Sequence, residues 1–152
     1  MKPRIYIDTS VIGGYFDEEF KVATQLFFER IGKEEFDVYF SDGNEAELEL
    51  APQHIQDIVL KIPTDCIKHI DIDNNVEELA QTYISDKALG QASENDAYHI
   101  ALSSVNRLDC LISWNFKHIV NFDKIRMFNS INLRLGYPII DIRSPLEFLR
   151  DE

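Results

Sequence analysis

The most constraining feature of this sequence is a recurrence. Short apolar, β-branched runs, each too brief for a helix, alternate with longer stretches whose apolar residues return at helical spacing. The first run, Arg4-Ile5-Tyr6-Ile7, is cut off by Asp8-Thr9-Ser10 and, with Val11-Ile12, reads as a strand and turn before Gly13-Gly14. Further strands are expected at 37–41, at 66–72, where apolar and polar residues alternate, at 109–113, and at 139–142 after the Gly136-Tyr137-Pro138 turn. Between them lie helical stripes: Ala23, Leu26, Phe27 and Ile31 closed by Gly32; Val76, Leu79, Ala80, Tyr83 and Ile84; Ala97, Ile100, Ala101 and Val105 after Ser93; and a looser one over 121–135. Strands separated by helices need crossover connections. The expected fold is therefore α/β, a parallel sheet with helices on both faces.

Length and composition bound the rest. A chain of 152 residues with 45% hydrophobic content fits one domain, 1–152, able to bury a core without staples. No linker or internal repeat divides it. Cys66 and Cys110 lie in apolar runs without CxxC spacing, so buried free thiols are expected rather than a disulfide or zinc site. No apolar run approaches the roughly 18 residues of a membrane span, and the start lacks the order of a signal peptide, so the expected location is the cytoplasm. Acidic residues outnumber basic ones 27 to 15, for a net charge of −12. Such a surface disfavours a sequence-independent grip on phosphate backbones and favours a basic partner protein.

Three carboxylates stand out. Asp8 ends the first strand, where open parallel sheets bind ligands, although a local turn would also explain it. Glu45-Ala46-Glu47-Leu48-Glu49-Leu50 is read as a short helix capped by Asn44, with Pro52 opening another that carries Ile55, Ile58, Val59 and Ile62. At about 100° per residue, Glu47 falls among Ala46, Leu48, Leu50 and Ala51, while Glu45 and Glu49 fall outside. A carboxylate on an apolar arc needs a cation or hydrogen-bond donors, though an Asn44-x-x-Glu47 capping box would also suffice. Asp96 opens the helix after Ser93, and Ser93-x-x-Asp96 again fits a capping box. If the three converge, their hard oxygens suit Mg²⁺ or Mn²⁺ better than zinc. A haloacid-dehalogenase-type phosphatase would need Asp-x-Asp, and Ser10 stands in the second position. His99, one turn beyond Asp96, either orients a phosphate or is simply hydrogen-bonded. Lys117 and His118 offer positive charge, and Trp114 and Phe116 offer either a base-stacking surface or core.

Four stretches together, Ile5-Tyr6-Ile7-Asp8-Thr9-Ser10-Val11, the Ser41 segment leading to Glu47-Leu48, Asn95-Asp96-Ala97-Tyr98-His99-Ile100-Ala101, and Ser113-Trp114-Asn115-Phe116-Lys117-His118-Ile119-Val120, resemble PIN-domain nucleases, in particular VapC-like toxins of toxin–antitoxin systems. The resemblance implies a PIN-like, Rossmann-like sheet and a metal site of Asp8, Glu47 and Asp96 holding Mg²⁺ or Mn²⁺. It further implies RNA as substrate, hydrolysed to a 5′-phosphate and a 3′-hydroxyl, an antitoxin as partner, and a homodimer. Thr9, Ser10, Asn115 and His99 are candidates for supporting the ligands or touching substrate. Two departures stand out: Asn115 replaces a further acidic residue, and Gly43-Asn44 replaces aliphatic residues. They leave a second reading, a catalytically weak or inactive interaction module on the same scaffold.

Overall fold

The computed structural model describes residues 2–150, so Met1, Asp151 and Glu152 of the expected 1–152 domain lie outside the described residues. Five strands, β1 (Arg4–Ile7), β2 (Asp37–Ser41), β3 (Ile67–Ile70), β4 (Cys110–Ile112) and β5 (Ile142–Arg143), form one sheet in the order β3-β2-β1-β4-β5. Every neighbouring pair is parallel, as the alternation of strands and helices requires. The chain winds outward from β1 to β3, then crosses back to place β4 on the other side of β1. The direction of winding thus reverses between β1 and β4, and a crevice is expected beyond their carboxyl ends.

Alternation along β1 distributes its side chains between two cores. Ile5 and Ile7 point into a layer with Phe27, Phe28 and Ile31 of α2 (Lys21–Gly32) and Phe148 of α8 (Pro145–Arg150). Tyr6 points the other way, into a layer built from α5 (Asn74–Ser85), α6 (Glu94–Val105) and α7 (Phe122–Arg134), including Leu79, Ile100 and Phe128. Burial of both faces explains why β1 reads as a continuous apolar run. Cys66 and Cys110 are buried free thiols, as expected. Among the described residues no helix is long and apolar enough to cross a membrane.

Several local expectations are corrected. The strand ends at Ile7, and Thr9–Gly13 is a helix, α1, running into a 3-10 turn over Gly14–Phe16, so the Gly pair is helical rather than a turn. Helix α2 is closed not by Gly32 but by Glu34 in the left-handed conformation (φ 60°), its N–H bonded to the Ile31 carbonyl and that of Glu35 to Arg30, a Schellman closure. The expected strand over 66–72 shortens to Ile67–Ile70, with Cys66 in a 3-10 turn after Pro63. After Pro52 the expected single helix is one turn, α4 (Gln53–Gln56), followed by 3-10 backbone over Asp57–Lys61. The last strand lies at Ile142–Arg143 rather than at 139–142, and helix α8 had no counterpart in the pattern.

Trp114, read as either core or a stacking surface, is core. Its ring lies against Phe20 with centroids 4.2 Å apart and its Nε1–H donates to Thr24 Oγ1 at 2.9 Å, while Phe116 remains half-exposed. This packing requires a hydrogen at residue 14: a Cβ on Gly14 would stand 2.8 Å from the Trp114 ring and 2.9 Å from Thr24 Oγ1. Gly14→Ala should therefore cost about 1–3 kcal/mol through overpacking, visible as a lower urea midpoint. An unchanged midpoint would mean that Trp114 shifts freely.

Candidate functional site

The crevice beyond β1 and β4 is built from three chain segments. Asp8 directly follows β1 and precedes α1, yet its side chain caps no helix amide. Its oxygens accept from two hydroxyls instead, Ser10 to Oδ1 and Ser113 to Oδ2, each at 2.6 Å. Ser10 Oγ also accepts the Trp114 N–H, and Ser113 Oγ that of Asn115. The hydroxyls therefore fasten the exits of β1 and β4 together across the point where the winding reverses. Asp8 is almost wholly buried, which pushes its carboxyl above the usual range. The charge of His99 and the two hydroxyls oppose this and Asp96 adds to it.

Glu47 comes from α3 (Asp42–Glu49), whose start departs from expectation. Asn44, expected as the cap, lies instead in the first turn with Asp42 and Gly43. Ser41 is the N-cap, and Asn44 closes the capping box three residues on. Asn44 Oδ1 accepts from the Ser41 N–H, while Asn44 Nδ2 donates to the Ile7 carbonyl, which ties α3 to the end of β1. The buried face is Asn44 and Leu48; Ala46 and Leu50, expected to flank Glu47 on an apolar arc, are exposed. Glu47 sits at the edge of the buried face, and its Oε1 accepts from Thr9 Oγ1 at 3.1 Å and His99 Nε2 at 2.6 Å. Burial pushes the Glu47 carboxyl up, but the His99 bond and charge with the Thr9 hydroxyl outweigh it and hold the group below its ordinary value.

Asp96 lies in the first turn of α6. The expected Ser93 capping box is absent, because Ser93 makes no side-chain cap bond. Asp96 Oδ2 accepts from Asn115 Nδ2 at 3.3 Å, while Asn115 Oδ1 takes the His118 N–H. Here an amide does what an acid could not, donating to Asp96 while bracing its own loop. Burial raises Asp96, against the charges of His99 and His118; Glu47 raises it further and the Asn115 bond opposes.

His99, from α6, joins the three. It is buried, with Nε2 on Glu47 and Nδ1 on Tyr6 Oη at 2.5 Å. Burial favours its neutral form. The Glu47 bond and the charges of Asp8, Glu47 and Asp96 overcome this and raise it. Tyr6, Ser41, Asn44 and Ser113 were not singled out in the sequence as parts of this site. Their only signal was position, at or just beyond strand ends. A cleft of about 260 Å³ passes Glu47 and His99, lined also by Glu77, Glu94 and Tyr98.

The donors at this site are hard oxygens, and Glu47 Oε2 and Asp96 Oδ1 carry no hydrogen bond among the described residues. That chemistry suits Mg²⁺ or Mn²⁺. The carboxylates are nevertheless not drawn tightly together. Among the described residues, the group whose ligand atoms all lie within 4.8 Å of one another is a different one, exposed Asp42, His69 and Asp71. The β2–β3 register, which sets Ser41 beside Ile70, brings Asp42 and Asp71, just beyond those strands, together with His69 near the end of β3. In that cluster His69 Nε2 lies 2.9 Å from Asp42 Oδ1, a hydrogen bond, and Nδ1 3.4 Å from Asp71 Oδ1.

No family model and no curated protein matches the chain. Solved structures do. VapBC2 from Rickettsia felis, bound to a DNA fragment from its promoter, is 16% identical with a TM-score of 0.56, over 93% of this chain and 98% of that one. FitAcB from Neisseria gonorrhoeae is 17% identical with a TM-score of 0.58, over the same shares. At such identity the likeness is one of fold, and it agrees with the PIN-like α/β sheet expected from the sequence.

The shifts have opposite signs and separate the three carboxylates. A carboxyl raised in the folded state costs stability once pH passes its ordinary value, whereas a lowered one adds stability that is lost as pH falls through its folded value. In EDTA at pH 7, Asp8→Asn should raise Tm and Glu47→Gln should lower it, the Asp8 difference shrinking as pH falls towards about 4 and the Glu47 difference holding down to about that pH and shrinking only below it. Melting curves from pH 4 to 8 check this; shifts of one sign for both variants would contradict the assigned environments.

Proposed function

We propose that the chain is a divalent-metal-dependent endoribonuclease of the PIN type, with Asp8, Glu47 and Asp96 as the metal-binding and catalytic carboxylates. One observation carries the reading: three carboxylates from separate segments are each held by hydrogen-bond donors at the crevice where the sheet's winding reverses, Asp8 by Ser10 and Ser113, Glu47 by Thr9 and the buried His99, and Asp96 by Asn115. Bound Mg²⁺ or Mn²⁺ would supply charge to stabilise the phosphorane-like transition state and to activate water. The chain's own groups do the rest. Ser10 and Ser113 fix both Asp8 oxygens, Thr9 and His99 fix Glu47, and Asn115 fixes Asp96. Glu47 Oε2 and Asp96 Oδ1, with the remaining lone pairs of Asp8, would hold the ion, whose chemistry there would be the hydrolysis of a phosphodiester. With a net charge of −12, RNA would be gripped through the ion and through local bases such as Lys117 and His118.

The PIN-like resemblance of the sequence and the likeness in fold to VapBC2 and FitAcB favour a toxin of the VapC kind. In that reading the chain acts in the cytoplasm, forms a homodimer and is held by an antitoxin, for which the acidic surface suits a basic partner. A second reading is favoured by the loose spacing of the carboxylates and by Asn115 in place of an acid: an interaction module without catalysis.

Cleavage of a mixed RNA pool separates the two readings. The enzyme should cut in Mn²⁺ or Mg²⁺, stop in EDTA, and lose at least about 100-fold in rate as folded Asp8→Asn or Asp96→Asn. Cleavage that persists in both variants contradicts the site, and a folded wild type that cuts nothing favours the module.

A further inference from the structure

We propose that Tyr6 is a positioning residue for Glu47: its buried hydroxyl holds His99 so that the Nε2–H of the imidazole stays on the Glu47 carboxylate. The inference rests on the reading of Glu47 as a metal ligand. Tyr6 is fully buried on β1, its ring 5.4 Å from that of His99, and its Oη lies 2.8 Å from Ser41 Oγ as well as 2.5 Å from His99 Nδ1. If only a packed, satisfied tyrosine were needed, Ser41 would suffice as partner. Tyr83 illustrates that simpler case: buried in the same core layer, it bonds Asn132 and approaches Ser104, with no contact to the carboxylates.

The chemistry of a hydroxyl explains why tyrosine stands at residue 6. A neutral imidazole with Nε2–H presents a bare Nδ1 that needs a donor, whereas an imidazolium presents Nδ1–H and needs an acceptor. The Tyr6 hydroxyl serves as either. Ser41 Oγ can compensate by turning towards Tyr6 Oη or towards Asn44 Oδ1, 3.2 Å away. In both forms Nε2–H stays on Glu47 Oε1, leaving Oε2 without a hydrogen bond among the described residues. Phenylalanine would keep the packing but leave a buried Nδ1 without a partner, so that neither tautomer nor ring angle is fixed.

Two measurements test this, on wild type, Tyr6→Phe and a Tyr83→Phe control. Ring ¹⁵N NMR of ion-free protein should show His99 protonated at Nε2 in wild type and Tyr83→Phe, and a tautomer mixture in Tyr6→Phe. Mn²⁺ calorimetry should give a dissociation constant about ten-fold weaker in Tyr6→Phe and unchanged in the control. Unaltered ring signals together with Mn²⁺ affinity within about two-fold of wild type would overturn the proposal. So would a neutral Nδ1–H ring in wild type, a readout that survives even if Tyr6→Phe does not fold. A wild type that binds no Mn²⁺ overturns the metal reading of Glu47; the ring spectra, which need no ion, still decide whether Tyr6 governs His99.

Discussion

The contact between His99 and Glu47 is the point on which the crevice depends. Burying negative charge at the end of a sheet is costly unless opposite charge or donors accompany it. The His99 imidazole meets this need at Glu47, while Asp8 relies on the hydroxyls of Ser10 and Ser113 and Asp96 on the Asn115 amide, the charge of His99 only easing the cost at both. The consequences differ by position. Glu47, bonded to the ring, is held ionised, whereas Asp8 and Asp96 are left with carboxyls that hold their protons more tightly than usual. Those two therefore have the most to gain from additional positive charge, which is the electrostatic case for a cation at this place.

The sheet makes the arrangement possible. Asp8 and Ser113 follow neighbouring parallel strands, so their backbones emerge side by side, and the return crossover delivers α6 with Asp96 and His99 over the same edge. Asn44 then anchors α3 to the Ile7 carbonyl and brings Glu47 in from the other side of β1. Each functional side chain thus sits within three residues of a strand end or in a helix's first two turns. These are the places where backbone direction is fixed by the packed core behind them.

Much of this was legible in the sequence. Strand runs and helical stripes gave the parallel α/β arrangement because both signals arise from burial of strand and helix faces against one sheet. What failed was local. Asn44 reads as the cap of a helix that begins after it, yet Ser41 supplies the cap and draws Asp42, Gly43 and Asn44 into the first turn. The same one-turn error misjudged the buried face of α3, placing Leu50 inside when it is almost fully exposed. The capping boxes that Asn44-x-x-Glu47 and Ser93-x-x-Asp96 fitted do not form: Ser41 caps α3, Ser93 makes no cap bond, and the two carboxylates bond His99 and Asn115 instead. Tyr6 was invisible as a functional residue, since a tyrosine in a buried strand is ordinary core until the atom its hydroxyl meets is known. The exposed Asp42–His69–Asp71 group likewise depends on the register of β2 against β3, which no local pattern specifies.

The two clusters make opposite claims on a divalent ion. The exposed one is compact, with its histidine already against Asp42 and Asp71; the buried one is looser but carries the unfavourable charge that an ion would relieve. Crystals of the protein soaked in Mn²⁺ and measured for anomalous scattering decide between them directly. The account predicts a peak in the crevice, within coordination distance of Asp8, Glu47 and Asp96. A peak confined to Asp42, His69 and Asp71, with none in the crevice, would contradict it.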